Sequence, residues 1–301
     1  STFWKRIWNR DALPEELQRL RSQQLSRLPG APMPGSWQLT PEELLQAARK
    51  KTTESCGPDG WSAAEVCHWP IAAWRILLLL WERWIAANQF PEVWRHSRQV
   101  MLPKAEGPFG QVRVEDMRPI AIQPVVCRII SSAFAKRQET QAWLQHLVPN
   151  CTHGAIPGRE AATAILPLQA AFDQGGILMS LDQAKCFDHV IPELAVGLLS
   201  HAGMHPEWIR HLQWTWSDQH RWMQFGRHTA NSPERVSTSI PQGCAMAPIA
   251  LVILMLEATC AVQTLQLGAE VLTQSVYVDD RAIACSSPQL AVLALQTWQH
   301  W

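Results

Sequence analysis

Val271-Leu272-Thr273-Gln274-Ser275-Val276-Tyr277-Val278-Asp279-Asp280-Arg281-Ala282-Ile283-Ala284-Cys285-Ser286 sets two adjacent acids inside an apolar run. Val271, Val276, Tyr277 and Val278 favour a strand and Ala282-Ile283-Ala284-Cys285 a second one, so the acids fall at a hairpin tip. Desolvating one carboxylate costs several kcal/mol and a neighbouring carboxylate adds repulsion. A cation would relieve both, and hard oxygen ligands point to magnesium or manganese. A bare pair of acids is ordinarily a solvated turn. The pair acquires chemistry only if a further carboxylate joins it from elsewhere.

With 301 residues, 47% of them hydrophobic, the chain can bury a substantial core in one large domain or two. Its 26 basic and 26 acidic residues cancel, so net charge implies no general attraction to nucleic acid or membrane. Residues 91–160 nevertheless carry nine Lys and Arg against six Asp and Glu, whereas residues 161–301 carry six against eleven. Eight scattered cysteines without a Cys-x-x-Cys pair argue against a zinc site and a disulfide framework, and for reduced thiols in an intracellular protein. The apolar run from Ala245 to Cys260 carries Glu257 and is expected as a buried helix, within 245–266, rather than a membrane span.

Residues 1–39 read as a short helix and a flexible linker containing Pro29, Gly30, Pro32, Pro34 and Gly35. Thr40 as cap, Pro41 at the first position and Glu42-Glu43 in the first turn then open a helix, which ends in the Gly57-Pro58-Asp59-Gly60 turn. Ile71, Trp74, Leu77, Leu78, Trp81 and Ile85 repeat at helical spacing and are expected in the core. Val100–Lys104 and Met117–Ile122 read as strands joined by a loop over 107–114, followed by one helix from Val125 to about Leu147. In the helix from Glu160 to Phe172, Pro167 is expected to kink or interrupt the turns. Gly176–Asp182 is a buried strand that ends on an acid, which supplies the further carboxylate. A hairpin is expected from 221–225 and 235–239, and a last helix over 288–301.

Asp182 and Asp279 lie at two strand ends 97 positions apart, with a glycine turn and a long helix between them. Two-metal phosphoryl transfer needs such carboxylates from separate rigid strands, bracketing ions about 3.5–4 Å apart.

Several ordered motifs are similar to the fingers and palm of reverse transcriptases, most like those of non-LTR (LINE-type) retrotransposons and group II introns. Leu181-Asp182 through Lys185-Cys186-Phe187-Asp188 resembles the first palm motif, Pro241-Gln242-Gly243 through Ala247-Pro248 the second and Tyr277-Val278-Asp279-Asp280 the third. Gly57–Gly60, Leu102-Pro103-Lys104, Arg118-Pro119-Ile120 and His153-Gly154 through Gly158-Arg159 resemble finger motifs, so the likeness covers about residues 40–290. Val278, Cys186 and Ile156 stand where alanine, alanine and arginine are more usual.

The resemblance implies an α+β right-hand polymerase fold: an N-terminal helix and linker over 1–39, helical fingers over 40–175 and a palm with an antiparallel sheet over 176–301, the thumb missing or truncated. It implies an RNA-directed DNA polymerase acting on an RNA template, a primer strand and deoxynucleoside triphosphates. Asp182, Asp279 and Asp280, with the Gln183 carbonyl, would hold two Mg2+ ions, for which Mn2+ could substitute. Lys104 and Arg118 would reach the triphosphate, Phe187 would exclude a ribose 2′-hydroxyl, and Gln242 and Gly243 would let backbone approach the template and nucleotide. Asp188 is expected to be structural. Arg128, Lys136, Arg137 and Arg159 would contact template backbone, though a solvated helix face explains the first three equally well. His201 and His205 have metal-ligand spacing, yet with Gly203 between them they read as a solvated or capping pair. An RNA-dependent RNA polymerase and an inert RNA-binding relic are the rival readings, and oligomeric state is left open.

Overall fold

The computed structural model describes residues 2–9, 28–51, 53, 55–104 and 112–300. The chain opens with helix α1 (Thr2–Trp8), whose Trp4 and Trp8 are fully buried. Residues 10–27 of the expected linker lie outside the described residues. Residues 28–39 lie against the core: Leu28, Met33 and Leu39 are buried, and the Ala31 and Met33 amides donate to the Ala202 and Gly203 carbonyls at 3.1 and 2.8 Å.

The helix Pro41–Arg49 starts as its sequence dictates. Thr40 Oγ1 accepts from the Glu43 amide and Glu43 Oε2 accepts from the Thr40 amide, at 3.2 and 2.7 Å, a reciprocal capping box. Helix Ile71–Ala87 buries Trp74, Leu78, Trp81 and Ile85, as its spacing requires. Trp81 and Phe134 meet the ring of Trp208 at 4.9 and 3.7 Å in the main core. His211 sits in this aromatic cluster, and burial pushes its pKa down to about 3, so it is neutral.

Three helices depart from expectation. The stretch 125–147 is two helices, Val125–Ala135 and Gln138–Leu147, because Arg137 takes an extended conformation. That places its guanidinium on Glu43 at 3.0 Å and on the Ser36 carbonyl at 2.6 Å, tertiary partners that no local pattern announces. The stretch 245–266 divides at Met255 into Ala247–Leu254 and Leu256–Gln263, and the Met255 carbonyl accepts from buried Arg281 at 3.3 Å. Conversely, helix Ala161–Asp173 runs through Pro167 uninterrupted. Pro167 faces outward, where water can take the carbonyl that its missing N–H leaves unpaired.

Strands β1 (His96–Pro103), β2 (Met117–Ile122), β5 (Gln219–Phe225), β6 (His228–Thr229) and β7 (Glu234–Val236) form one sheet, in which β1 lies between β2 and β5. The β1–β5 pairing is parallel and the others are antiparallel. Residues 105–111, most of the loop expected between β1 and β2, lie outside the described residues. Trp4 and Trp8 of α1 cover one face of this sheet by packing on Met101, Met117, Met223 and Val236.

Strands β3 (Thr152–His153), β4 (Ile177–Leu181), β8 (Leu272–Tyr277) and β9 (Asp280–Cys285) form the second sheet, in the order β3-β8-β9-β4. It is mixed rather than wholly antiparallel, because β3 runs parallel to β8. Ile283 and Cys285 pack on Val262 and on Leu290, Ala291 and Ala294 of helix Pro288–His300, while Ser275 bonds the Ala164 carbonyl of helix Ala161–Asp173 at 2.6 Å. Both sheets take strands from either side of residue 175. β4, at one edge of the sheet, is largely exposed, not buried as its apolar run suggests, whereas β3 at the opposite edge is buried. All eight cysteines are free, and among the described residues no helix is long and apolar enough to cross a membrane.

Candidate active site

The quoted stretch folds as the hairpin its pattern implies, with Tyr277 paired to Asp280 and Val278-Asp279 as the two-residue tip. Val278 has φ +59, which a β-branched residue adopts only under strain of about 1–3 kcal/mol. Gly154, next to His153 of β3, makes room for it: a Cβ on Gly154 would sit 2.7 Å from Val278 Cγ2. The His153-Gly154 motif therefore supports the hairpin tip.

β4 pairs with β9 so that Leu181 faces Arg281. Asp182 directly follows this last pair of β4, as Asp280 directly precedes Arg281 at the start of β9. Burial raises the Asp279 pKa, and the charges of Asp280 and Asp182 raise it further, against a lowering by Arg118. Burial also pushes the Cys186 thiol up to about 12, with Asp279 adding to the rise.

These acids open onto a cavity of about 310 Å³ that also takes in Lys104, Arg118, Gln183, Phe187 and Gln242. Eight of the nine site residues expected from sequence thus share one cavity. Gly243 does not line it. At φ +134 it lets Ala121 of β2 approach, since a Cβ there would meet the Ala121 carbonyl oxygen at 2.4 Å, and the Ala121 amide donates to the Gln242 carbonyl at 2.7 Å. The backbone that this glycine admits is the protein's own strand.

Lys104 lies just past the end of β1, and its amide donates to the Asp116 carbonyl at 2.9 Å, which closes the β1–β2 pair beside Arg118. The backbone of Phe187 is held by the Ile240 amide at 3.1 Å and that of Val190 by the Ser239 amide at 2.7 Å. Asp188, expected to be structural, is buried and also lines the cavity. Trp8 Nε1 donates to its Oδ1 at 2.8 Å, Arg221 Nη1 lies 4.0 Å from the same oxygen, and burial, partly offset by Arg221, raises its pKa.

Other expected residues lie apart from the cavity. Arg159 donates to the Pro149 and Thr152 carbonyls at 2.7 and 2.8 Å, and Arg128 to the Ser55 carbonyl at 2.7 Å, so both brace loops. His201 approaches the Leu28 carbonyl at 3.3 Å, and His205 precedes helix Pro206–Trp216. Asp59 of the Gly57–Gly60 turn accepts from the Val125 amide at 2.9 Å and so caps helix Val125–Ala135 from a distance. Sequence reasoning assigned no role to Lys185, which lines the cavity, or to Arg221 and Trp8 behind it. A basic residue three places after the strand-end acid was a signal for the first; nothing local announces the other two.

Among the described residues no group of three or more His, Cys, Asp and Glu side chains already stands as a metal-ligand set. Asp182, Asp279 and Asp280 nonetheless fit a hard divalent cation. They are oxygen donors on one polar cavity, and a cation would relieve what raises the Asp279 pKa there, burial first and the neighbouring charges of Asp280 and Asp182 second. Residues 102–301, which include all nine expected site residues, match the family model for reverse transcriptase (RNA-dependent DNA polymerase).

Proposed function

This chain belongs to the reverse transcriptase family, and from that premise we propose that it extends a primer with deoxynucleotides on an RNA template by two-metal nucleotidyl transfer. One observation carries the reading: carboxylates from two separate strands share a single cavity with Lys104 and Arg118 of the facing sheet. Asp182, Asp279 and Asp280, with the Gln183 carbonyl, would hold two Mg2+ ions, for which Mn2+ could substitute. The chemistry these ions supply when bound is activation of the primer 3′-hydroxyl and neutralisation of the leaving phosphates.

The chain's own residues do the rest. Lys104 and Arg118 bind and orient the triphosphate and offset its charge as the α-phosphate is attacked in line. Phe187 packs beside the sugar and excludes a 2′-hydroxyl, which selects deoxynucleotides. Gln242 fixes the floor through its backbone bond to β2. We assign residues 40–175 to fingers and 176–301 to palm and a non-LTR retroelement as the source, which the ordered motifs support, and the cell interior as the place of action, which the scattered free cysteines support.

Primer extension on an RNA template with Mg2+ and deoxynucleotides tests the reading, with the Asp279→Asn variant alongside. Extension by the chain and not by the variant is the expected result. Incorporation of ribonucleotides instead would indicate an RNA-dependent RNA polymerase, and RNA binding without extension an inert relic.

A further inference from the structure

Lys185 occupies a position that the reaction as described does not use. Its backbone is left-handed, φ 54, at the turn between Asp182 and the short helix Cys186–His189. Its half-buried side chain lines the cavity with Asp182, Asp279, Lys104 and Arg118. The ammonium donates to the Glu115 carbonyl at 2.7 Å and lies 4.8 Å from the Trp4 ring centre and 5.3 Å from that of Phe3. Among the described residues no carboxylate stands within ion-pair distance of it.

An ammonium has three N–H donors, and one carbonyl takes one of them. Aromatic faces attract the cation without neutralising its charge. Lys185 is therefore a positioned positive charge in a cavity that already holds two others, Lys104 and Arg118. The element that positions it is firmly seated. The Trp8 carbonyl of α1 accepts from the Ser237 and Thr238 amides at 3.0 and 2.7 Å, the Ile7 carbonyl accepts from Thr238 Oγ1 at 2.8 Å, and the Trp8 indole bonds Asp188 at 2.8 Å. Helix α1 thus holds both ends of the 185–188 segment, by its rings at Lys185 and by its indole at Asp188.

We propose that Lys185 is a third phosphate-binding cation of this cavity, and that the aromatic rings of α1 hold it in place for the triphosphate of the incoming nucleotide. This rests on the polymerase reading above. Residues of α1, some 180 positions away in sequence, thereby set nucleotide affinity at a site built around position 182.

The test is single-nucleotide extension on an RNA template, with the deoxynucleotide titrated and inorganic pyrophosphate as a competing probe. Lys185→Gln is expected to raise KM and the pyrophosphate inhibition constant each on the order of tenfold, the loss of one charge-assisted hydrogen bond, with kcat changed by less than about twofold. Lys185→Arg, which keeps the charge, is expected to recover most of that loss. Trp4→Leu, its melting temperature measured in parallel, is expected to raise KM by a smaller factor in the native background and not at all in the Lys185→Gln background. Unchanged KM in Lys185→Gln, or a Trp4→Leu effect equal in both backgrounds, would overturn the proposal. Failure of the unaltered chain to extend would count against the polymerase reading alone. Calorimetric titration with pyrophosphate and Mg2+ then decides the matter: weaker binding to Lys185→Gln supports the assignment, and equal or absent binding refutes it.

Discussion

Gly154→Ala tests whether the strained hairpin tip is held by the loop beneath it. Gly154 has φ +69, where an alanine is disfavoured by about 1–2 kcal/mol. Its added Cβ would also stand 2.7 Å from Val278 Cγ2, so reaching ordinary contact at 3.4 Å requires Val278 to shift by about 0.7 Å. Asp279 is the next residue, and a displacement of about 1 Å in a reacting group lowers rate by about a hundredfold. The expected outcome is a melting temperature lower by a few degrees and a kcat for primer extension lower by about tenfold to a hundredfold. Gly60→Ala is the control: its φ is +75 and nothing lies within 4 Å of the added Cβ, so it carries the backbone penalty without the collision. Combining Gly154→Ala with Val278→Ala removes the Cγ2 atom and is expected to recover part of kcat, the Val278 amide nitrogen still lying 3.2 Å from the added Cβ. If Gly154→Ala retains the kcat of Gly60→Ala, the collision does not govern the placement of Asp279 and the reasoning fails.

Asp279→Asn is expected to abolish extension and, in the absence of metal, to raise the melting temperature at pH 7. Its folded pKa is raised, so the folded state binds the proton more tightly and loses stability as pH rises through that pKa. Below the ordinary carboxylate value both side chains are neutral and the gain should vanish; a gain that persists there would contradict a cost that comes from burying the charge beside Asp280 and Asp182. Added Mg2+ should stabilise the native chain against heat, chelation should reverse this, and an equal Mg2+ effect on Asp279→Asn would argue against these ligands. Phe187→Ala is expected to admit ribonucleotides, which competition between the two sugars at one template position measures; unchanged discrimination would remove Phe187 from that role. In urea denaturation, Trp8→Phe should lower stability by about 1–3 kcal/mol, because Asp188 loses a buried donor, and Arg221→Met by about 3–5 kcal/mol, because its buried partner is left uncompensated. Losses below about 0.5 kcal/mol in both would show the network to be dispensable.

The readable parts of this chain were those whose physics is local. Thr40-Pro41 with Glu43 at the third position specifies a helix start by itself, and Trp74, Leu78, Trp81 and Ile85 specify its neighbour's buried face. The hairpin around Asp279 was legible for the same reason, since β-favouring residues flank a short polar tip. Asp182 was legible because an apolar strand ends on it. Bringing the two acids together on one cavity drew on several motifs in order, each local in itself.

Tertiary structure decided what depends on distant partners. Helix 125–147 breaks where Arg137 finds Glu43, and helix 245–266 where the Met255 carbonyl meets Arg281. Neither break is marked by glycine or proline. Gly243 proved to admit β2, and Gly154 to make room for Val278, because a glycine in a sequence shows that space is needed but not what fills it. The bond from Trp8 to Asp188 spans 180 positions, and the parallel pairing of β1 with β5 spans more than 120. Periodicity, caps and turns act within a few residues, so sequence alone determined the elements and the residues able to do chemistry. Contacts between segments far apart in the chain arise only when the whole core packs, and they determined which helices divide, which strands meet, and which side chains hold the acids where they stand.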